Sequence, residues 1–562
     1  MIDLKRAIRV AWIRFEWDGM LESFWVARLS APRGELIRRP HDVEEAMAAR
    51  NIRVTTSDFV NMRQDRAVYV DKTRLIHALV HDDRAFFLAR PRRFGKSLLV
   101  SVLQAYFEGK RALFDGLAMA ELEKDWVSYP VLKFDWSLTN YRNPSDLFSV
   151  INANLLPYEK TYGRSGHKDD GLGVRLHSLI RRAYERTGQQ VVVLIDEYDA
   201  PLVDVIRDES FETMREMLQG FYKVLKESTA YLRFVFLTGI TKFSQLSIFS
   251  ALNNLTDMTM DTRYAAICGI TREELVSELR PEVEAMALEL GISVDALLEK
   301  LRWKYDGYHF AKNSPDIYNP FSLMSCLKQR QLNNYWYSTG TPTFLTKAIA
   351  QYRIRPEELD NMMAGEMELN APMECADTPI PILYQSGYLT IKSYRNGKYR
   401  LGFPNEEVRV SFLKGLVPYY TQKPERENLS FVMALTDAME ERDVDRAMQL
   451  MRSFISSIPY NAERQDEAHY KTIFYLIFRI ASEFCVRTEE CSAAGRCDAL
   501  IETEDAVFLF EFKFEGSAES ALRQIDDKGY AIPYESGEKA VIKIGANFDK
   551  SRRTLDRWVI GT

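Results

Sequence analysis

Cysteine is scarce in this sequence, with six residues among 562 and no Cys-x-x-Cys pair. This content excludes a disulfide-based scaffold and a thiolate zinc site of the usual spacing. Cys485, Cys491 and Cys497 recur every six residues, which is not a metal-ligand spacing, so we interpret them as small apolar side chains. We therefore expect a reducing compartment and a cytoplasmic protein.

Long apolar runs are also missing. The longest are short pieces such as Val191 to Ile195, far below the ~20 residues that cross a bilayer, so no transmembrane segment is predicted. Charges interrupt the first 20 residues, so this segment does not match a secretory signal. The formal net charge of -6 gives no overall attraction to nucleic acid, so binding of one would need local basic patches.

The length predicts a chain of about two to four domains, because a single hydrophobic core rarely grows this large. Composition shifts and turn signals suggest six segments. They are an N-terminal extension (1–50), a nucleotide-binding domain (51–270), a helical lid (271–375), a winged-helix-like region (376–424), a helical connector (425–455) and a last α/β domain (456–562).

The nucleotide-binding segment alternates apolar strands with long helical stretches. Such alternation predicts an α/β fold with a parallel sheet covered on both faces. The predicted strands are Ala85–Ala89, Val131–Phe134, Val191–Ile195 and Leu232–Leu237.

A hairpin follows the helical lid. Ile391 to Tyr394 and Tyr399 to Phe403 flank an Asn-Gly turn, which favours a type I′ hairpin, and a helix is expected from Glu406. Helix, hairpin and helix resemble a winged helix. Its basic side chains either contact phosphates or simply solvate an exposed hairpin. They are Lys392, Arg395, Lys398 and Arg400.

A phosphate-binding loop is predicted between the first strand and the helix Leu98–Phe107. Backbone N–H groups at such a helix start hold phosphates, a lysine reaches the β and γ oxygens, and a hydroxyl binds Mg²⁺. Lys96 and Ser97 fit the last two roles, whereas Arg90 stands where glycine is usual. The expected ATP-binding loop is Arg90, Pro91, Arg92, Arg93, Phe94, Gly95, Lys96 and Ser97.

Two carboxylates follow the strand that ends at Ile195, where open α/β sheets bind ligands. We expect Asp196 to bind the magnesium shell and Glu197 to orient or deprotonate the attacking water. Thr238 ends the next strand and either senses the γ-phosphate or satisfies backbone groups.

These motifs resemble the bacterial AAA-ATPase-like family, in which arginine at the first loop position is usual. The resemblance covers about residues 52–345 and implies ATP binding and hydrolysis. Seven blocks carry it: YVDKT (69–73), RPRRFGKSL (90–98), LIDEYDAPL (194–202), TGITKFSQLSIFSALNNL (238–255), YDGYHF (305–310), YNPFSL (318–323) and TGTPTFL (339–345).

Members of that family commonly end in a PD-(D/E)xK nuclease-like domain, and this chain is similar there as well. The similarity rests on EAHYKTIFYLIF (467–478), GRCDALIE (495–502), FEFK (510–513) and ALRQI (521–525). It implies a restriction-endonuclease-like α/β fold whose elements run helix, strand, strand, helix, strand.

The C-terminal strand places Glu511 and Lys513 two residues apart and so on one face. With Asp498, the carboxylates can hold Mg²⁺ while the lysine activates water or stabilises charge on a scissile phosphate. Gln524 on the next helix is expected to position this site. The alternative is a surface ion pair between the strand residues. Further polar residues nearby are Glu467, His469, Tyr470 and Glu489.

We therefore expect an ATPase that uses ATP and Mg²⁺ and gates cleavage or loading of nucleic acid, with DNA the preferred substrate. One rival is a nucleotide-driven switch or scaffold that binds nucleic acid or protein and keeps an inactive nuclease fold. Another is a nuclease that binds ATP without hydrolysing it, which Glu197 disfavours. A homo-oligomer stays open, since no arginine finger can be chosen from the sequence.

Overall fold

The computed structural model describes residues 50–164, 171–206, 208–242, 255–336, 355–372, 376–458, 467–481, 497–549 and 551–561. The predicted N-terminal extension up to residue 49 therefore lies outside the described residues, as do Glu489, Cys485 and Cys491.

The elements up to the end of the first sheet are α1 (Phe59–Gln64), α2 (Thr73–Asp82), β1 (Ala85–Ala89), α3 (Lys96–Phe107), α4 (Ala118–Leu122), β2 (Val131–Asp135), α5 (Pro144–Tyr162), α6 (Leu172–Thr187), β3 (Val191–Asp196), α7 (Ala200–Val203), α8 (Phe211–Glu227), β4 (Leu232–Gly239) and β5 (Thr256–Asp257). The middle elements are α9 (Arg272–Ser277), α10 (Arg280–Leu290), α11 (Val294–Tyr305), α12 (Pro320–Gln329), β6 (Met362–Gly365), α13 (Glu366–Leu369), α14 (Ile380–Gln385), β7 (Thr390–Arg395), β8 (Lys398–Gly402), α15 (Glu406–Thr421), α16 (Glu425–Glu440) and α17 (Val444–Ser456). The last are α18 (Glu467–Ala481), β9 (Ala499–Glu502), β10 (Ala506–Lys513), α19 (Ala518–Asp527), β11 (Ala540–Asp549) and β12 (Thr554–Gly561).

The first sheet has five parallel strands in the order β2-β3-β4-β1-β5. The central strands β1, β3 and β4 are buried on both faces because successive side chains enter different cores. In β1, Phe86 and Leu88 join one core, whereas Phe87 and Ala89 join the other with helices α5, α6 and α8. The predicted α/β class and its parallel sheet are confirmed, and the two-residue strand β5 is an addition.

The predicted hairpin is also present. β7 and β8 pair antiparallel, and the turn residues Asn396 and Gly397 have φ of 53° and 79°, as a type I′ turn requires. β6 adds a third strand on the other side of β8, and α15 begins at Glu406. Lys392 does not extend freely from this hairpin, since its Nζ donates to the Pro404 carbonyl at 2.9 Å.

One hydrophobic core runs from the nucleotide-binding sheet into the winged-helix-like region. It contains Phe86 and Phe94, then Tyr388 and Phe412, and finally Leu476 of α18. Helices α9 to α12 enclose a separate core. The predicted segments are therefore not all independent packing units, and their boundaries stay predictions.

The C-terminal sheet has the order β12-β11-β10-β9, with β10 parallel to β11 and both outer pairs antiparallel. On one face, Phe474 of α18 stacks against Phe512, and Phe478 packs against Phe510 with tilted rings. Helix α19 covers the other face, where Glu511 lies. The expected order of elements is confirmed, and β12 extends it by one strand.

Among the described residues, the structure contains no helix that is both long and apolar enough to cross a membrane.

Candidate nucleotide and nuclease sites

The loop between β1 and α3 reaches the carboxyl edge of the parallel sheet. Gly95 adopts φ of 86° immediately before α3, so helix α3 begins at Lys96 with its first N–H groups at the loop. A helix N-terminus of this kind favours an anion, because its free N–H groups and dipole are positive there.

Lys96 is 3% exposed and lies between the loop and the neighbouring strand ends. Its Nζ donates to the carbonyl groups of Arg90 and Pro91, at 3.2 Å each, and pairs with Glu197 Oε1 at 3.4 Å. The ammonium group is thus held near Asp196, which ends β3, and Glu197, which follows it.

Asp196 and Ser97 lie close together at this edge, where the Ser97 hydroxyl acts to lower the pKa of the Asp196 carboxyl. Burial, followed by the charge of Glu197, raises the pKa of Asp196 to about 6, although Ser97 and Lys96 act in the opposite direction. A hydroxyl beside a carboxylate supplies the oxygen ligands that Mg²⁺ prefers. The pair therefore fits the metal role expected for these residues.

Glu197 has φ of 52°, a left-handed conformation that a non-glycine residue rarely adopts. This turn directs the chain after β3 into Asp199, which is fully buried. The Asp199 carboxylate accepts from the N–H groups of Ile240 and Thr241 and from the Thr241 hydroxyl, at 2.7 to 3.0 Å. It thereby fixes the segment that follows β4.

A cavity of about 470 Å³ opens beside the loop. The phosphate-loop residues Gly95, Lys96 and Ser97 lie on one wall, together with Glu197. The remaining walls include residues of four segments, at 53–57, 68–72, 267–270 and 320–324. A volume near the lower end of ligand pockets suits a nucleotide whose phosphates extend toward the helix.

Arg90 and Phe94 lie beneath the loop. Arg90 is 1% exposed, donates through Nη1 to the carbonyls of Ala89 and Thr259, and stacks 4.2 Å above the Phe310 ring. Burial lowers its pKa. Phe94 packs edge-on against Phe310 at a centroid distance of 5.2 Å. These two loop residues therefore anchor the loop to the core, and Phe94 also lines the cavity. Direct contact of Arg90 or Phe94 with ATP stays a prediction.

Of the other loop candidates, Arg93 has φ of 66° and lies 3.7 Å above the Phe321 ring, at the cavity wall. The carbonyl of Arg92 accepts from Trp336 Nε1 at 3.4 Å. Thr238 is fully buried and its hydroxyl donates to the Leu88 carbonyl at 2.8 Å. This bond corresponds to the alternative in which Thr238 satisfies a backbone group. Phosphate sensing by Thr238 stays a prediction.

The C-terminal candidates also meet. Asp498 precedes β9 and its Oδ2 accepts from the Phe512 N–H at 2.8 Å, one residue from Glu511. Glu511 is 3% exposed, and its Oε2 has no hydrogen-bond partner among the described residues. Burial, followed by the charge of Asp498, raises the pKa of Glu511 to about 7. A buried, unpartnered oxygen beside a second carboxylate fits a divalent cation.

Lys513 and Gln524 complete this arrangement. Lys513 Nζ lies 3.3 Å from Glu511 Oε1 and donates to Gln524 Oε1, while Gln524 Nε2 donates to Glu511 Oε1. Tyr530 is buried and lies near Gln524. Because Glu511 is buried under α19, the surface ion pair considered above does not describe this site.

Gly545 on β11 explains how α19 comes this close. It pairs with Glu511, and a Cβ there would lie 2.4 Å from both the Ala518 carbonyl oxygen and the Leu522 nitrogen of α19. Only glycine fits at this contact. The side chain of Glu467 lies outside the described residues, whereas His469 and Tyr470 contact each other on α18.

Comparison with known proteins agrees with both the nucleotide-binding region and the C-terminal region described above. Residues 53–249 match the AAA-ATPase-like family, described as a predicted AAA-ATPase. Residues 465–558 match the PD-(D/E)XK nuclease superfamily. The chain is 33% identical over 529 residues to the "Uncharacterized protein in vnfD 5'region" of Azotobacter chroococcum mcd 1, covering 92% of this chain and 99% of the relative. The chain belongs to the AAA-ATPase-like family.

The AAA-ATPase-like architecture contains site residues that sequence reasoning did not select. Asp199 lies inside the quoted LIDEYDAPL block, so this block was the available signal. Cys268 lines the cavity from a loop without a motif, and Phe321 lines it from the first turn of α12, inside the quoted YNPFSL block. Tyr530 follows α19 without any motif, and only the folded contact with Gln524 reveals it.

Proposed function

We propose that this protein hydrolyses ATP at the loop between β1 and α3. The observation that supports this most is the meeting of Lys96, Ser97, Asp196 and Glu197 at one sheet edge, beside a nucleotide-sized cavity. In a P-loop site, Lys96 binds β and γ oxygens and the N–H groups at the start of α3 hold the phosphates. Glu197 orients the attacking water and accepts its proton.

Mg²⁺ held by Ser97 and Asp196 would neutralise charge that develops on the phosphates. Asp196 must be ionised to act as a ligand, and its pKa of about 6 leaves it ionised at neutral pH. Two carbonyl groups hold the Nζ of Lys96 beside the helix start.

We also propose that the C-terminal domain cleaves phosphodiester bonds of nucleic acid, with DNA the preferred substrate. Asp498 and Glu511 would hold Mg²⁺, which would polarise the scissile phosphate. Lys513 lies 3.3 Å from Glu511, where it can orient a water or stabilise charge on a phosphate oxygen. Gln524 fixes the lysine and the carboxylate relative to each other, because it is hydrogen-bonded to both.

The state of the nucleotide site would gate this cleavage. Two contacts support a route through the winged-helix-like region: a Cβ on Gly387 would lie 2.6 Å from Pro91, and Gln385 Oε1 accepts from the Lys242 N–H at 2.8 Å. From there, α15 packs against α18, which belongs to the nuclease-like fold. A packed chain of this kind can carry a change in loop position to the second site.

Two lysine variants separate the two activities. Lys96→Ala should abolish ATP hydrolysis, whereas Lys513→Ala should preserve hydrolysis and abolish strand cleavage. Lys528→Ala, which removes an exposed lysine at the end of α19, is the matched control and should change neither rate. Cleavage that persists in Lys513→Ala would refute the assignment of the nuclease site.

Hydrolysis of ATP by a wild-type protein that cleaves no nucleic acid would instead favour a nucleotide-driven switch or scaffold with an inactive nuclease fold. The low cysteine content supports a cytoplasmic location, which stays a prediction.

A further inference from the structure

Two histidines and a glutamate form a cluster that neither proposed activity uses. His77 and His81 lie four residues apart on α2 and therefore on one helix face. Glu123 directly follows α4. One nitrogen or carboxylate oxygen from each of the three residues lies within 4.8 Å of the others.

The hydrogen bonding of His81 determines which ring nitrogen is available. Its Nδ1 lies 2.8 Å from the His77 carbonyl oxygen, which can only accept, so Nδ1 carries the hydrogen. In the neutral ring, Nε2 then has the lone pair, and it faces Glu123 Oε2 at 3.6 Å. Two acceptors that face each other repel unless a proton or a metal cation lies between them.

Glu123 is held in place from behind. Its Oε2 accepts from the Tyr106 hydroxyl at 2.5 Å, and its Oε1 accepts from the Asp125 N–H at 3.0 Å. In metal sites, hydrogen bonds from neighbouring groups orient the ligands. The bonds that the Glu123 carboxylate accepts are of this kind, and so is the bond from the His81 imidazole N–H to a backbone carbonyl. Glu123 is buried while His81 is exposed, so one side of the cluster is open to solvent.

We propose that His77, His81 and Glu123 bind a divalent transition-metal ion of the Zn²⁺ class. Two imidazole nitrogens and one carboxylate oxygen suit Zn²⁺, with water in the open fourth position. This chemistry differs from that of the oxygen-only candidates for Mg²⁺ in the two proposed sites.

The position of this metal site also gives it a structural consequence. Tyr106 lies ten residues after Lys96 on α3, which corresponds to about 15 Å along the helix. A bound ion would join α2 to the segment after α4, which Tyr106 links to the far end of α3. Helix α2 directly follows Tyr69 and Lys72, which line the nucleotide cavity.

The test is Zn²⁺ binding to the full-length protein at pH 8 by calorimetry, with excess Mg²⁺ present to occupy oxygen-only sites. We expect one Zn²⁺ per chain in the wild type and at least about 100-fold weaker binding in a His77→Gln, His81→Gln double variant. Tyr106→Phe should keep the ligands but weaken binding by about 10-fold to 100-fold. His177→Gln is the control, because that histidine contacts Ser228 elsewhere in the domain.

X-ray absorption at the zinc edge of the wild type gives a readout that needs no variant. Scattering from two imidazole rings is expected. Equal Zn²⁺ affinity in the double variant, or a zinc shell without imidazole, would overturn the proposal. Failure of the wild type to bind Zn²⁺ would also overturn the proposal.

Discussion

A proton on Glu511 should compete with Mg²⁺ at the C-terminal site. Its pKa of about 7 arises from burial and from the charge of Asp498, and it exceeds the value of an exposed glutamate. The carboxyl group is then about 90% protonated at pH 6, half protonated at pH 7 and about 10% protonated at pH 8. A metal ligand must lose this proton before it binds.

The expected magnitudes follow directly. The apparent affinity for Mg²⁺ should be about tenfold weaker at pH 6 than at pH 8, because the ionised fraction falls by that factor. Binding should release about 0.9 protons per ion at pH 6 and about 0.1 at pH 8. Calorimetry in two buffers of different ionisation heat measures both the affinity and the proton release.

Glu511→Gln is the control for this experiment, because glutamine keeps the size of the side chain but cannot titrate. The difference between wild type and variant isolates this site from the Asp196 site, which also carries a raised pKa. The reasoning would be refuted if the affinity were the same at both pH values, or if the variant released the same number of protons.

Three further substitutions test the positioning of the two sites. Gly545→Ala should push α19 away from the sheet and reduce nucleic-acid cleavage on the order of 100-fold, while ATP hydrolysis is unchanged. Gly537→Ala is the control, because a Cβ there would lie no closer than 3.4 Å to its nearest neighbour. Equal loss of cleavage in both variants would contradict this prediction. Arg90→Ala should lower the free energy of unfolding in urea by about 3 kcal/mol, since buried contacts are lost, and change ATP affinity less than about tenfold. A large loss of affinity at unchanged stability would instead place Arg90 on the phosphates. Asp199→Ala should leave three buried donors without an acceptor and lower the free energy of unfolding by about 3 kcal/mol, measured by the same urea denaturation. Stability equal to wild type would contradict the role of Asp199 in fixing the segment after β4.

The strands of the nucleotide-binding sheet were predictable because they are continuous apolar runs. The predicted strand Ala85–Ala89 agrees residue for residue with β1, and Val191 to Ile195 falls one residue short of β3. β5 was not predictable, since it has two residues and owes its existence to pairing with β1. The local hydrophobic pattern predicts a strand where every residue of the strand is buried. It does not predict a strand that forms only because a distant segment supplies its pairing partner.

The site residues divide in the same way. Lys96 and Asp196 follow a loop and a strand whose spacing fixes their chemistry, and they meet as the sequence indicates. The buried position of Arg90 depends on Phe310, which is 220 residues away in sequence and not visible as a partner in any local pattern. Likewise, the role of Gly545 depends on the approach of α19 and not on a turn of its own.

The most direct test of the account is Mg²⁺-dependent cleavage of single- and double-stranded DNA and RNA, with and without ATP, by wild type and Asp498→Ala. We expect cleavage by the wild type that changes with ATP and is lost in the variant, with DNA cleaved in preference to RNA. ATP hydrolysis by a wild type that leaves all four substrates intact would contradict the account.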